Sequence, residues 1–214
     1  FKGQWTAIPY ENEPGHSQIT ALFEDTDGRI WIAAASKTIM SLEPDGSLKR
    51  YPVQLPDAKD SALGFEQDTQ GNIWLATRVG LAKLKKGNFE LVPVFPVPIK
   101  SLSALAKDHD GKLLAATDRG LFRQGDKTFL PVKGGEDIGG LHQVESILVE
   151  TPQRIMFGTQ SEGLFCLCNG KLERFDTKNG LVNNRIATMF IDKEKSLWVG
   201  TNLGVTRIRT GQIT

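Results

Sequence analysis

The sequence lacks a long apolar run, an excess of charge of either sign, and a cysteine-rich framework. Its 26 Lys and Arg residues nearly balance 25 Asp and Glu residues, so the net charge is +1. This balance argues against a nucleic-acid partner, which would require a basic surface. The sequence also has no basic helical segment of the kind that would indicate contact with a membrane surface. The most apolar stretch, residues 91–99, is interrupted by three prolines and is too short to span a bilayer.

The two cysteines, Cys166 and Cys168, are separated by one residue. On an extended strand, two such side chains point the same way from Cα atoms about 6.5–7 Å apart. That distance is at or beyond what a disulfide usually tolerates. We therefore expect two free, partly buried thiols rather than a redox pair or a metal site.

The sequence also offers no recognisable catalytic constellation. Its three histidines, His16, His109 and His142, are not spaced as metal ligands, and no glycine-rich phosphate loop lies between a strand and a helix. A carboxylate pair that meets in space stays open, because Asp and Glu are numerous. We therefore expect no enzyme activity, no cofactor and no metal.

What the sequence does contain is one motif repeated five times. Each copy has an apolar segment, a polar turn and a short apolar strand that usually carries Trp and Thr. The copies are aligned at Trp31, Trp74, Leu114, Met156 and Trp198. The resulting period of about 40–45 residues, with several strands per unit, is typical of propeller blades. Abundant Gly between short apolar segments likewise favours an all-β fold.

We therefore predict an all-β protein, a β-propeller of five four-stranded antiparallel blade repeats. The repeats are expected near residues 19–51, 61–92, 101–132, 144–175 and 186–214, with residues 1–8 as the outer strand of a further or closing blade.

Two interpretations of the chain ends stay open. Either the N-terminal strand, Gly3 to Ile8, completes the fifth blade and closes a five-bladed ring, or the five repeats belong to a longer propeller. Closure is favoured for an ordered fragment, because an open ring exposes a blade face and sheet edges. Since the sequence starts at Phe1 without Met, we expect it to be a processed or excised piece.

The repeated residues themselves are predicted to be structural. The Trp residues keep one phase and are replaced by Leu114 or Met156, which indicates packing between blades rather than sugar stacking. The Asp-x-Asp-Gly segments at 25–28 and 108–111 lack the further carboxylate that a calcium loop needs, so they are predicted to be tight turns.

Function is expected where the copies differ. In a propeller, the connections between the second and third strands, and between the fourth strand and the next blade, share the face around the channel mouth. A ring of polar side chains there would suit a polar ligand, an oligosaccharide or a loop of a partner, although a solvated rim would carry the same residue types. The candidate ligand-binding residues are Lys37, Arg78, Asp118, Arg119, Gln160, Glu162, Asn183, Asn184, Arg185 and Asn202.

The motif Asp-x-x-Gly-x-Ile/Leu-Trp, followed by Thr and then Gly-Leu or Gly-Val, resembles the two-component regulator propeller repeat. Its clearest copy runs from Asp192 to Arg207, and Asn179 to Ile186 resembles the segment that precedes the first strand in that family. The third and fourth copies depart from the pattern, since neither has the Trp.

The resemblance implies a periplasmic or otherwise extracytoplasmic sensor propeller of a bacterial signalling receptor. Such receptors end in histidine kinase, hybrid kinase-regulator or diguanylate cyclase modules, and some sense oligosaccharides. The leading hypothesis is a non-catalytic ligand-binding domain that works within a larger receptor or a dimer. The alternatives are a protein-interaction scaffold and, less favoured, a propeller lyase or glycosidase.

Overall fold

The computed structural model describes residues 18–34, 38–54, 62–141 and 143–209. These residues form twenty strands and two short 3-10 helices, and the prediction of an all-β propeller is confirmed. The N-terminal strand proposed for residues 1–8 lies outside the described residues. Neither helix in the described part of the chain is long or apolar enough to cross a membrane.

The strands follow the chain in five consecutive sheets, which we call blades 1 to 5. Blade 1 contains β1 (Ile19–Glu24), β2 (Ile30–Ala34), β3 (Ile39–Leu42) and β4 (Leu48–Tyr51). Blade 2 contains β5 (Val53–Gln54), β6 (Ala62–Gln67), β7 (Ile73–Thr77), β8 (Gly80–Lys85) and β9 (Asn88–Leu91). Blade 3 contains β10 (Leu102–Lys107), β11 (Leu113–Thr117), β12 (Gly120–Gln124) and β13 (Phe129–Pro131). Blade 4 contains β14 (Val144–Thr151), β15 (Arg154–Thr159), β16 (Leu164–Cys168) and β17 (Lys171–Phe175), and the described part of blade 5 contains β18 (Ile186–Ile191), β19 (Ser196–Thr201) and β20 (Gly204–Arg209).

Within each blade, consecutive strands pair antiparallel, and only the two-residue strand β5 adds a parallel pairing, to β9. Apart from the short strand β5, each blade is an antiparallel meander, and the first strands of the five meanders are β1, β6, β10, β14 and β18. Each of these first strands packs against the first strand of the next blade. The first strands therefore surround the axis of the propeller. Each of them begins at the same end of the axis, where the turns between second and third strands also lie.

The hydrophobic core consists of four layers, one between each pair of neighbouring blades. We call the side of a blade that meets the next blade its forward face. Trp31 on the forward face of blade 1 is fully buried and contacts Phe65 and Phe89 of blade 2, with ring centroids 6.1 and 5.8 Å away. Trp74 occupies the same place in blade 2 and packs against Phe129 of blade 3. The predicted packing role is thus confirmed for both tryptophans.

The Asp of the repeat anchors the Trp that follows six residues later. The Oδ2 atoms of Asp25, Asp68 and Asp192 accept a hydrogen bond from the indole Nε1 of the corresponding Trp at 2.7–2.8 Å. The Oδ1 atom of Asp68 accepts the backbone N–H groups of Gln70 and Asn72, which closes the turn. Burial raises the pKa of Asp68, but the hydrogen bonds from Trp74 and Asn72 outweigh it and hold the pKa below its usual value.

A second repeated contact explains the Thr of the motif. The Oγ1 atoms of Thr77, Thr117, Thr159 and Thr201 each donate to the carbonyl of the Gly that opens the third strand, at 2.8–3.0 Å. The four glycines have φ between 99° and 148°, a conformation that favours Gly. A side chain at Gly163 would also collide with the carbonyl of Phe175. At Gly163, Gly is therefore required by both conformation and space.

The expectation of free thiols is wrong, because Cys166 and Cys168 form a disulfide. Their Cα atoms are 5.5 Å apart, closer than in an ideal extended strand and within the range that a disulfide allows. The backbone of β16 is therefore locally contracted, although its pairing with β15 and β17 stays in register.

Candidate functional site

A cavity lies at the channel mouth, where the first strands begin. It has a volume of about 850 Å³, and all five blades contribute to its wall. This convergence follows from the topology, since each first strand starts at this end and the second turn of a blade lies beside it. The lining consists of Gln18, Thr20, Leu63, Arg78, Ser101, Leu102, Ser103, Gln143, Val144, Glu145, Gln160 and Ala187.

Most polar groups in the cavity are neutral amides and hydroxyls, which both donate and accept hydrogen bonds. The cationic exception is Arg78, whose side chain is exposed in the turn between β7 and β8. The carbonyl of Arg78 accepts a 2.8 Å hydrogen bond from the N–H of Leu102 in blade 3, so this turn is fixed against the neighbouring blade. Within the described residues, no ion pair joins the Arg78 guanidinium to a carboxylate.

The carboxylate of the cavity belongs to Glu145, at the start of β14. Its Oε1 lies 3.8 Å from the guanidinium of Arg185, which precedes β18. Gln160 lines the same cavity, and its backbone N–H donates to the backbone carbonyl of Gln143 at 3.0 Å. One side of the cavity is thus a polar wall built by blades 4 and 5.

The predicted binding residues divide into three groups in the structure. Arg78 and Gln160 line the cavity, and Arg185 reaches it through Glu145. Others are engaged in holding loops: Asp118 accepts the N–H groups of Lys100 and Ser101 and pairs with Arg119 at 3.6 Å, and Asn184 accepts the N–H of Thr177. Of the remaining predicted residues, Glu162 accepts a hydrogen bond from Arg174 through its backbone carbonyl, and Asn183 accepts the N–H of Arg185 through its side chain. Asn202 is exposed in the turn between β19 and β20. Lys37 lies outside the described residues.

The cavity is also lined by residues from the first strands, which were not among the predicted binding residues. Gln18, Ser101, Ser103, Gln143 and Glu145 stand at or just before the starts of β1, β10 and β14. Their signal in the sequence is a polar residue at the beginning of an otherwise apolar strand, in the same phase in several repeats.

A separate apolar groove of about 500 Å³ lies beside the connection between blades 2 and 3. It is lined by Leu81 and Leu91 from the strands and by Phe95, Val97 and Ile99 from the proline-rich connection. Val97 is exposed there. This groove is distinct in position and chemistry from the polar cavity.

Comparison with known proteins places this geometry in a family context. Residues 13–36 and 180–203 match the family described as Two component regulator propeller. No curated protein matches the sequence significantly. These two segments of the chain, one leading into blade 1 and one into blade 5, therefore match the two-component regulator propeller repeat.

Similar solved structures share the fold. The extracellular domain of the putative hybrid two component system BT4673 from B. thetaiotaomicron superposes with a TM-score of 0.73 at 20% identity, over 96% of this chain and 29% of that chain. The corresponding domain of BT3049 from the same organism gives 0.76 at 15% identity, over 98% and 31%. Virginiamycin B lyase from Staphylococcus aureus gives 0.67 at 15% identity, over 90% and 67%. The chain thus spans about three tenths of the length of the two extracellular domains.

Proposed function

We propose that this chain, a propeller of the two-component regulator type, is a non-catalytic ligand-binding domain of an extracytoplasmic bacterial receptor. The ligand would be a polar molecule such as an oligosaccharide, bound in the cavity at the channel mouth. The observation that carries the proposal is that all five blades converge on one polar cavity of about 850 Å³. A cavity of this size lies within the range of about 300–1,000 Å³ that small-molecule sites occupy.

The chemistry of the wall favours a ligand rich in hydroxyl groups. The amides of Gln18, Gln143 and Gln160 and the hydroxyls of Ser101 and Ser103 can each donate to and accept from a sugar hydroxyl. The exposed guanidinium of Arg78, which has no ion pair with a carboxylate among the described residues, would favour a carboxylate on that ligand, because a guanidinium can hold a carboxylate by two parallel hydrogen bonds. We therefore propose an acidic oligosaccharide before a neutral one.

Binding at this place would act on the arrangement of the blades. A ligand that bridges Arg78 in blade 2 and Gln160 in blade 4 contacts groups whose separation depends on how blade 3 sits between them. It can shift an equilibrium between receptor states only by binding one state more tightly.

A hydrolytic function is disfavoured by the acids that the cavity lacks. Glycoside hydrolysis commonly uses two carboxyl groups that flank the scissile bond. Among the described lining residues only Glu145 is acidic, and Arg185 lies beside it. In the described part of the chain, no group of three or more His, Cys, Asp or Glu residues could hold a metal ion. The similarity to a lyase, at 15% identity, concerns the fold.

The apolar groove supports a second candidate, a protein-interaction scaffold. An extended apolar peptide would suit the surface formed by Phe95, Val97 and Ile99. A scaffold function predicts that binding to a partner depends on this groove and is unaffected by changes in the polar cavity.

Calorimetric titration tests the proposal directly. The chain is titrated with acidic and neutral oligosaccharides, and Arg78→Ala and Gln160→Ala are compared with Arg119→Ala. Arg119 is the matched control, because it lies in the equivalent turn of blade 3, pairs with Asp118 and does not line the cavity. We expect Arg78→Ala to weaken binding of the acidic ligand about tenfold or more, the equivalent of one charge-assisted contact. Binding that Arg119→Ala weakens as much, or an absence of binding across the panel, would contradict the proposal.

A further inference from the structure

Each of the five first strands contains a β-bulge directly after its first residue. In the pairing of β1 with β2, Ile19 and Ala21 lie opposite neighbouring residues of β2, so that Thr20 is an extra residue in that ladder. The same shift of register occurs at the start of β6, β10, β14 and β18. The five inserted residues, which we call the bulge residues, are Thr20, Leu63, Ser103, Glu145 and Ala187.

The bulges change which side chains of a first strand face one layer of the core. In a regular strand, residues three positions apart point to opposite faces. Leu102 and Leu105 nevertheless both pack in the layer between blades 2 and 3. The corresponding pairs in the other layers are Ala62 with Phe65, Val144 with Ile147, and Ile186 with Met189. The insertion therefore brings both residues of a pair onto one face, and the inserted side chain is not needed to fill that layer.

All five bulge residues line the cavity at the channel mouth. This agrees with the general property of bulges, which re-aim a side chain and are common next to functional sites. The position before the bulge holds only Ile, Ala, Leu or Val, whereas the bulge position holds two hydroxyls, a carboxylate, a Leu and an Ala. Leu63 also contacts the layer between blades 2 and 3. Packing thus restricts the first position of each strand and leaves the chemistry of the bulge position to the cavity.

The charged groups of the cavity wall lie on different blades. Glu145 is the acidic bulge residue and belongs to blade 4, whereas Arg78 belongs to blade 2. Arg185 lies 3.8 Å from Oε1 of Glu145 and offsets part of its charge, but it is not among the described lining residues. The hydroxyl of Thr20 donates to the carbonyl of Ala33 at 3.3 Å, and its oxygen can still accept a hydrogen bond. A ligand in the cavity therefore meets a cation on blade 2 and a carboxylate on blade 4.

We propose that the five bulge residues determine which ligand the cavity accepts, and that Glu145 restricts it to an oligosaccharide with a single acidic unit. The inference rests on the proposed function, because it concerns the same cavity. The carboxylate of the acidic unit pairs with Arg78, and a neutral unit donates hydroxyl hydrogen bonds to Glu145, which a carboxylate accepts strongly. A uniformly acidic oligosaccharide brings a like charge to Glu145, and such a juxtaposition selects against the wrong ligand.

Calorimetric titration with two defined probes tests the inference. The probes are xylobiose that carries one glucuronic acid and trigalacturonic acid, which has a carboxylate on every unit. We expect the unaltered chain to bind the singly acidic probe at least about tenfold more tightly. Glu145→Gln keeps the size of the side chain and removes its charge, so it should lower this ratio at least about fivefold. Glu173→Gln is the matched control, because Glu173 is exposed on β17 of the same blade and does not line the cavity.

A second variant tests another member of the ring. The N–H of Leu102 donates to the carbonyl of Arg78, so the neighbouring bulge residue Ser103 stands beside the turn that holds Arg78. Ser103→Glu should therefore pair with the guanidinium and weaken binding of the singly acidic probe at least about tenfold. Both bulge variants should melt within about 2 °C of the unaltered chain, because these side chains lie outside the layers of the core.

The outcomes separate this inference from the proposed function. An unchanged ratio in Glu145→Gln, with binding retained, would overturn the inference and leave the proposed function intact. A lower ratio in Glu173→Gln of the same size would also overturn it, because the effect would then not come from the cavity. If the unaltered chain binds neither probe nor neutral xylotriose, the proposed function itself fails, and the inference fails with it.

Discussion

Replacing Trp31 and Trp198 separately by Ala compares one residue of the repeat in two environments. Both indoles donate to the Asp six residues earlier, at 2.8 and 2.7 Å. Trp31 is fully buried and lies against the rings of Phe65, Phe89 and Tyr51. Trp198 is 36% exposed, and the guanidinium of Arg207 lies 5.0 Å from its ring.

The two costs should therefore differ. Truncating a buried Trp removes its burial and leaves a cavity, which costs about 3–5 kcal/mol, and each lost aromatic pair contributes about 0.5–1.5 kcal/mol of this kind of stabilisation. Trp198→Ala leaves no enclosed cavity, so its cost should be near the average of single substitutions, about 1 kcal/mol. Unfolding by urea, followed by far-ultraviolet circular dichroism, gives both values.

Equal costs for the two variants, within about 0.5 kcal/mol, would refute this reasoning. They would mean either that the face of blade 5 is covered in solution or that the Asp–Trp hydrogen bond, which both sites share, outweighs packing between blades. Asp25→Asn separates these cases, because it weakens the hydrogen bond of Trp31 and keeps the indole in place.

Three further predictions concern titration and turns. Hydrogen bonds hold the pKa of Asp68 below its usual value, so the ionised carboxylate stabilises the fold above about pH 4, and this stabilisation is lost as the pH falls. In urea unfolding between pH 5 and 2.5, the free energy of unfolding of Asp68→Asn should therefore depend less on pH than that of the unaltered chain. Burial raises the pKa of Glu66 to about 7 against the opposing charge of a nearby lysine. The protonated carboxyl therefore stabilises the fold at low pH, and the free energy of unfolding declines as the pH rises from 4.5 through 7. Glu66→Gln should remove that decline, and an unchanged decline would contradict its assignment to Glu66. Gly163→Ala should lower the free energy of unfolding by more than Gly180→Ala does. Both glycines have positive φ, but only the Cβ added at Gly163 meets a backbone carbonyl. Similar losses for the two variants, near the roughly 1 kcal/mol that conformational strain costs, would show that space is not limiting at Gly163.

The blade architecture could be predicted from the sequence because the repeat encodes local contacts. Thr77 and Gly80 contact each other across one turn, and Asp68 contacts Trp74 across another. Such contacts form between residues a few positions apart, so they leave a pattern in every copy. The strand order follows from the same short connections.

The exposure of Trp198 could not be predicted in this way. The copy around Trp198 is the clearest match to the repeat, and yet its Trp is more exposed than Trp31 and Trp74. Burial of a forward face depends on the next blade, and the motif of a single copy carries no information about that neighbour. The disulfide was missed for a related reason, since the contraction of β16 between Cys166 and Cys168 departs from ideal strand geometry.

Of the ten candidate binding residues, Arg78 and Gln160 line the cavity at the channel mouth, and their role in binding stays a prediction. The turns that hold Arg78 and Gln160 were identified because they differ among the copies. Asp118 and Asn184 differ too, but their side chains hold backbone N–H groups of neighbouring loops. Sequence variation marks both kinds of residue, and only the three-dimensional contacts separate them. The contribution of Gln18 and Gln143 became apparent only when the first strands were seen to converge.

Amide chemical-shift mapping tests whether a polar ligand binds where the five first strands begin. An acidic oligosaccharide is titrated into the isotope-labelled chain, and the shifts of backbone and Gln side-chain amides are followed. We expect the largest changes to fall on Ser103, Gln143 and Gln160 and on the side chain of Gln18, and to saturate together. Changes confined to the turns at the other end of the channel, such as residues 68–72, or to the forward face of blade 5, would contradict it.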